Sequence, residues 1–123
     1  MSNITDETLK RGTIELVLLS LLAQDDMYGY QILKNVWMQS KGLYDLKEGT
    51  MYPSLYRLTE KGLVSNYKKL VGKKRIRVYY HLTPAGSEYL EVLLRKYNAI
   101  TEGVKGITDS LSAKVKSAPI QLN

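Results

Sequence analysis

The positive charge of this 123-residue chain is concentrated in residues 61–81, called the basic segment below. The segment contains seven basic residues and no Asp or Glu, whereas residues 1–60 contain six basic and eight acidic residues. Such a block of cations can bind a polyanion. A solvated hairpin tip is the commoner role of a charge run, so the position of the segment in the fold must decide. The seven cations are Lys61, Lys68, Lys69, Lys73, Lys74, Arg75 and Arg77.

Residue types that support catalysis or metal binding are scarce in this chain. Its single histidine is His81, and no acidic residue lies near it in the sequence. Asp25 and Asp26 are adjacent carboxylates, but helix capping accounts for them without acid–base chemistry. The absence of cysteine excludes disulfides and thiolate sites, and no spacing is typical of a metal site. We therefore predict no catalytic residue, no metal and no cofactor.

The composition, 44% hydrophobic and 24% charged residues, is ordinary for a soluble globular protein of one domain. The longest apolar run, residues 14–23, is interrupted by Glu15 and Ser20 and is too short to span a bilayer. Asp6 and Glu7 precede this run, unlike the basic start of a signal peptide. We therefore expect a cytoplasmic protein without a membrane partner.

Ten tyrosines and no phenylalanine make the aromatic content unusual. Each tyrosine combines an apolar ring with a hydroxyl group that requires a hydrogen-bond partner. We expect some of these rings at boundaries with water, ligand or phosphate, although a drift in composition is the alternative explanation.

Two helices are predicted before residue 43. The first, from Thr5 to Ala23, is apolar around most of its surface from Ile14 onward, so both the core and a partner chain are expected to cover it. The second is capped by Asp25 or Asp26 and ends at residues 41–42, where Gly42 favours a stop. Its predicted inner face consists of Ile32, Leu33, Val36 and Trp37.

The third predicted helix runs from Glu48 or Thr50 to Lys61 and ends at Gly62. With Thr50 as its cap, Pro53 would lie in the first turn, where its missing N–H group costs little. The inner face is predicted to contain Met51, Leu55 and Leu58. The opposite face is predicted to expose Pro53, Ser54, Arg57 and Lys61, flanked by Tyr52 and Tyr56.

A β-hairpin is predicted next, with strands 63–70 and 75–82 joined by a turn at residues 71–74. The second strand alternates strictly between apolar and polar side chains, which places alternate residues on opposite faces. The core-facing set is predicted to be Ile76, Val78, Tyr80 and Leu82, and the outer set Arg75, Arg77, Tyr79 and His81.

A long C-terminal helix is predicted to begin at Thr83 and Pro84. Its apolar residues recur at alternating spacings of three and four, the heptad pattern of helix–helix pairing. This pattern predicts a dimerisation helix over 84–114, after a first domain at 1–83 and before a flexible tail at 115–123. The residues of this seam are Leu90, Leu93, Tyr97, Ile100, Val104, Ile107 and Leu111.

Three helices followed by a hairpin indicate a mainly α fold with a two-stranded β-hairpin, a winged helix-turn-helix extended by the dimerisation helix. In that architecture the third helix enters the major groove of double-stranded DNA and the hairpin reaches the flanking backbone. A winged-helix module that docks on protein without DNA is the alternative. The predicted DNA-binding residues are Thr50, Tyr52, Pro53, Ser54, Arg57, Lys61, Lys73, Lys74, Arg75 and Arg77.

Four sequence blocks in this order resemble PadR-type transcriptional regulators. They are KRGTIEL at 10–16, MYGYQI at 27–32, GTMYPSLYRL at 49–58 with EKGLV at 60–64, and YYHLT at 79–83 with Gly86. The resemblance implies a homodimeric repressor that binds a pseudo-palindromic operator. The short length is similar to that of multidrug-sensing members, in which a tryptophan of the C-terminal helix stacks on planar drugs.

Two positions depart from the family pattern. Val78 stands where the family commonly has a basic residue before the paired tyrosines, so the cations lie nearer the hairpin tip. Tyr97 occupies the position of the drug-stacking tryptophan, and its smaller ring offers less stacking area. The resemblance therefore implies a planar aromatic effector at Tyr97 as one role for this residue, and packing in the dimer seam as the other.

Overall fold

The computed structural model describes the backbone of residues 2–117 and the side chains of residues 5–111. Residues up to 91 belong to one compact unit, and residues from 92 onward belong to a second. The elements are α1 (Ser2–Arg11), α2 (Ile14–Gln24), β1 (Met27–Tyr28), α3 (Gly29–Gln39), α4 (Glu48–Glu60), β2 (Val64–Val71), β3 (Arg75–Leu82) and α5 (Pro84–Ser117).

The predicted single helix over 5–23 is wrong, because the chain forms α1 and α2 with a break at residues 12–13. At the break, the backbone N–H and the hydroxyl group of Thr13 both donate to the carbonyl of Lys10, at 2.8 and 2.7 Å. The expectation that apolar residues of α2 are covered by the core is confirmed. The buried residues of α2 are Leu16, Leu18, Leu19, Leu21 and Leu22.

The start of α3 differs from the prediction, because Asp25 and Asp26 do not cap it. The N-cap residue is Tyr28, whose backbone N–H donates to the Gln31 side chain at 3.1 Å. Ile32 and Val36 are buried as predicted. Trp37 was assigned to the inner face as well, but half of its side chain is exposed.

Helix α4 has the predicted core face, since Met51, Leu55 and Leu58 are buried. Of the two predicted starts, Glu48 is confirmed and Thr50 is wrong, because the N-cap is Lys47 and Thr50 lies inside the first turn. Pro53 is therefore the sixth helical residue and not part of the first turn. The helix ends before Gly62, whose φ of +75° is the left-handed conformation that glycine adopts at least cost.

The sheet has three antiparallel strands in the order β1-β3-β2, one more than the predicted hairpin. We call β2, β3 and their turn the wing. The buried face of the sheet begins at its base with Val64, which lies opposite Leu82. The prediction that Ile76 and Val78 face the core is wrong, because both are exposed. They lie in the distal half of the wing, where nearly every residue of β2 is also exposed.

Helix α5 begins at a cap made by Thr83, whose hydroxyl oxygen accepts the N–H of Gly86 at 3.0 Å. The backbone of Gly86 lies so close to the carbonyl of Leu63 that a Cβ atom would collide with it. The helix continues without a break through Gly103 to Ser117, three residues into the segment predicted as a tail. The rest of that tail, 118–123, lies outside the described residues. Within the described part of the chain, no helix is long and apolar enough to cross a membrane.

Candidate nucleic-acid interface

The outward stripe of α4 is formed by residues at helical spacing, namely Gly49, Pro53, Tyr56 and Glu60, all of them exposed. Tyr56 is 66% exposed and lies on this stripe, not on its flank. Ser54 was predicted on the exposed face, and this prediction is wrong because its side chain is 1% exposed. The Ser54 hydroxyl donates to the carbonyl of Thr50 at 2.8 Å, which satisfies it inside the helix.

Arg57 lies one step around α4 from that stripe, and Lys61 directly follows the helix on the same side. The Arg57 guanidinium donates to the Ser54 hydroxyl at 3.1 Å, while Lys61 forms an ion pair with Glu15 of α2 at 3.2 Å. Arg57 and Thr50 also line a cavity of about 530 Å³ with residues of α1 and the α3–α4 loop. The geometry leaves Arg57 accessible and gives Lys61 an acidic partner within the protein.

Tyr52 connects α4 to the start of α3. A Cβ atom on Gly29 would collide with the Tyr52 hydroxyl, so glycine at this position lets the ring approach the backbone closely. Burial raises the pKa of Tyr80 in β3, and the neighbouring Tyr52 phenol raises it further. Tyr52 therefore positions α4 against α3 and β3, although 45% of its side chain stays exposed.

The remaining cations of the basic segment lie on the wing. Gly72 adopts a φ of +69° in the turn, and Lys73, Lys74 and Arg75 are exposed beside it. Lys61 has its partner in Glu15, but none of the other six cations forms an ion pair with a described carboxylate. The wing therefore presents uncompensated positive charge to the surroundings.

Three tyrosines form a row across the sheet, called the tyrosine row below. Tyr79 in β3 lies opposite Tyr28 in β1 and opposite Tyr67 in β2. The rings of Tyr67 and Tyr79 stack with centroids 5.7 Å apart, and Tyr28 meets Tyr79 edge to face at 5.5 Å. Aromatic pairs at these distances stabilise a sheet beyond the area they bury.

Two cations lie over this row on the side of the wing tip. The Arg77 guanidinium carbon is 4.2 Å from the Tyr28 ring centroid, and the Lys69 ammonium is 5.3 Å from that of Tyr79. Both distances are within the range of cation–π attraction.

Asp26 joins the other side of the row to the turn after α2. Its carboxylate accepts the Tyr67 hydroxyl at 2.8 Å and lies 2.8 Å from His81 Nδ1. Burial acts to raise the pKa of Asp26, but the hydrogen bonds from His81 and Tyr67 and the charge of His81 outweigh it and lower this pKa below 3.8. The bond to Asp26 in turn raises the pKa of Tyr67. Among the described residues, no cluster of His, Cys, Asp or Glu could hold a metal ion.

The seam residues of α5 are exposed from Tyr97 onward. Tyr97 is 40% exposed and Ile107 is 75% exposed, and the residues between them at heptad spacing are exposed as well. Leu90 and Leu93 are partly buried. An exposed apolar stripe of this length on a single helix is unusual for a monomer.

Residues 18–92 match the sequence profile of the transcriptional regulator PadR-like family, which is more than half of the chain. The chain belongs to the PadR-like family. The match begins within α2, includes α3, α4 and the wing, and ends within α5 before most of the seam. The resemblance noted in the sequence is therefore confirmed at the level of the family.

This chain is also similar to individual transcriptional regulators. The transcriptional regulator YqjI of Escherichia coli is 33% identical over 94 residues, which are 76% of this chain and 44% of YqjI. This chain thus spans less than half the length of that relative. A transcriptional regulator structure from Clostridium thermocellum is 31% identical, with a TM-score of 0.74 over 80% of this chain and 96% of that one. Bacillus subtilis PadR in complex with operator DNA is 26% identical, with a TM-score of 0.62 over 67% of this chain and 47% of PadR.

The tyrosine row, Lys69 and the Asp26–His81 contact were not predicted from the sequence of this PadR-like chain. The position of the turn was one sequence feature that could have revealed part of this arrangement. A turn centred on Lys73 sets the register of the two strands, which places Lys69 opposite Arg77 and Tyr67 opposite Tyr79. The two-residue strand β1 is too short for periodicity to reveal it, so the position of Tyr28 had no sequence signal.

Proposed function

We propose that this PadR-like chain is a homodimeric repressor that binds a pseudo-palindromic operator in double-stranded DNA. Helix α4 enters the major groove, where Tyr56 and Arg57 reach the base edges, and the wing contacts the backbone. The observation that carries the proposal is the set of six wing cations without an acidic partner in the described part of the chain. Positive charge without internal compensation is the electrostatic signature of a nucleic-acid-binding surface.

The proposed dimer pairs the seam of α5 with its copy in a second chain. Its apolar residues recur at the three-four spacing that packs one helix into another. Burying a fully exposed leucine or isoleucine contributes about 1.5–3 kcal/mol, so covering the seam supplies the driving force for association. Two copies related by a two-fold axis present two α4 helices, which is why a pseudo-palindromic operator fits the proposal.

Release of the operator by a small molecule is the second part of the proposal. The two Tyr97 side chains of a dimer would face each other across the seam. A planar aromatic guest between these rings would favour a different separation of the helices, and so a different spacing of the two α4 helices.

The main test is selection of genomic fragments that bind the purified full chain, followed by electrophoretic shifts with the enriched sequences. We expect a discrete shifted species and an enriched motif with two-fold symmetry. Absence of any shift at low salt, combined with capture of a protein partner, would support the docking-module alternative and contradict the proposal.

A further inference from the structure

Lys69 and Arg77 occupy directly opposite positions of β2 and β3 on the same face of the wing. Like charges at directly opposite positions of an antiparallel pair are destabilising. No described carboxylate forms an ion pair with either side chain, so no negative charge in this part of the structure neutralises the two cations. An anion bound between the two cations would relieve their repulsion.

Each of the two cations lies over a tyrosine ring, and that ring is in turn packed against another ring of the tyrosine row. The Arg77 guanidinium lies over Tyr28 at 4.2 Å, and the Lys69 ammonium lies 5.3 Å from the Tyr79 centroid. Tyr79 is held between the rings of Tyr28 and Tyr67. A ring face attracts a cation but leaves its N–H groups free to donate, whereas a carboxylate would occupy them. The tyrosine row therefore orients the two cations without neutralising their charge.

We propose that Lys69 and Arg77 form one phosphate-binding site on the wing, and that Tyr28 and Tyr79 are the residues that position them. The ligand is a phosphodiester group of duplex DNA, so the inference rests on the proposed function and adds Lys69, Tyr28 and Tyr79 to it. Cations already ordered in the free protein lose less side-chain entropy on binding than mobile ones. Among the described residues, no aromatic ring makes such a contact with the cations at the turn, which therefore contribute mainly long-range attraction.

The first experiment compares Lys69→Gln with Lys68→Gln. Both variants remove one charge from neighbouring exposed residues of β2, but Lys68 lies on the other face, opposite Val78. Lys69→Gln is expected to weaken binding of the enriched DNA ~10-fold. It should also reduce the slope of log K against log salt concentration by about 2, because each of the two subunits of the dimer loses one phosphate contact worth roughly 0.9. Lys68 belongs to the positive charge of the wing but not to the proposed phosphate site, so Lys68→Gln is expected to reduce the slope by much less than Lys69→Gln does. Equal slopes for the two variants would overturn the proposal.

The second experiment tests the positioning role of Tyr28. Tyr28→Phe keeps the ring and should bind DNA like wild type, whereas Tyr28→Leu should weaken binding about fivefold, the scale of two exposed cation–π contacts in a dimer. In an Arg77→Gln background, Tyr28→Leu should have no further effect on DNA binding. A persistent effect in that background would mean that Tyr28 acts on the fold and not through Arg77.

A measurement without DNA separates this inference from the proposed function. Protons of the Arg77 side chain should show upfield ring-current shifts in the free protein, and these shifts should vanish in Tyr28→Leu and remain in Tyr28→Phe. If wild type binds no DNA, the proposed function fails regardless of the shifts. If wild type binds DNA with a steep salt slope but Lys69→Gln and Lys68→Gln behave alike, the proposed function stands and the phosphate site is wrong.

Discussion

The imidazole Nδ1 of His81 in β3 lies 2.8 Å from the Asp26 carboxylate in the turn after α2. The two residues are 55 positions apart in the chain, and no acidic residue is close to His81 in the sequence. Tyr67 of β2 donates to the other oxygen of the same carboxylate. One acidic group thus links both strands of the wing to the helical core, which fixes the base of the wing relative to α2.

The first prediction concerns stability at acidic pH. The pKa of Asp26 is lowered in the folded protein. The ionised Asp26 carboxylate therefore stabilises the fold at any pH above the unfolded-state pKa of 3.8, and this stabilisation is lost as the pH falls through the folded-state pKa. Asp26→Asn should lower the free energy of unfolding at pH 7 by about 1–2 kcal/mol, the scale of hydrogen bonds to a partly exposed charged acceptor. The free energies of unfolding of wild type and Asp26→Asn, measured with urea, should converge as the pH is lowered below 3.8. Asp109→Asn, which removes an exposed ion pair on α5, is the control and should change stability by less.

The second prediction is a steep salt dependence of DNA binding. If a dimer contacts about eight phosphates, the slope of log K against log salt concentration should be near −7, from roughly −0.9 per phosphate. Fluorescence anisotropy of a labelled operator over a range of salt concentrations measures this slope. A slope near zero would contradict DNA binding through the wing.

The third prediction is that Arg57→Ala and Arg77→Ala weaken DNA binding in different ways. Arg57 is accessible on α4 beside Tyr56, so its loss should cost roughly 1–3 kcal/mol per half-site and reduce the preference for the operator over unrelated DNA. Arg77 lies on the wing, so its loss should weaken all sequences alike and reduce the salt slope by about 2. Competition with operator and random duplexes measures both effects. Loss of non-specific affinity alone in both variants would mean that α4 does not read bases.

The fourth prediction concerns the proposed dimer. Ile107→Asp places a charge in the exposed apolar seam of α5 and should convert the dimer to a monomer, because an unpaired charge in a helix–helix interface is costly. Asn98→Asp introduces the same side chain on another face of α5 and should leave the dimer intact. Sedimentation velocity distinguishes the two species. A dimeric Ile107→Asp protein would place the interface elsewhere.

The fifth prediction concerns the effector. Planar aromatic compounds, neutral or cationic, should bind wild type weakly and release the operator, and Tyr97→Ala should bind them less because the stacking surface is gone. Tyr97→Phe retains the ring and should behave like wild type. Dye fluorescence and operator release are measured in the same titration. Equal binding by wild type and Tyr97→Ala would exclude Tyr97 as the stacking platform, and no binding by either would leave it a packing residue.

Local sequence patterns predicted much of the fold correctly. The spacing of Met51, Leu55 and Leu58 identified the core face of α4, because residues three and four apart share one side of a helix. Gly62 marked the end of that helix because it tolerates a positive φ. The wing and the start of α5 followed from alternation and from the Thr83–Pro84 signal. These features depend on neighbours in the chain, which the sequence displays directly.

Tertiary packing decided the details of the candidate site. Ser54 is polar, and this suggested exposure, but its hydroxyl is satisfied by the Thr50 carbonyl inside the helix, so the residue can be buried. Arg77 was predicted to bind DNA from its charge, but its contact with Tyr28 depends on the pairing of β1 with β3. Residues 49 positions apart meet only when the chain is folded. Their contact has no local period, and this is why the sequence alone determined the architecture and the family while the folded chain determined how the cations are held.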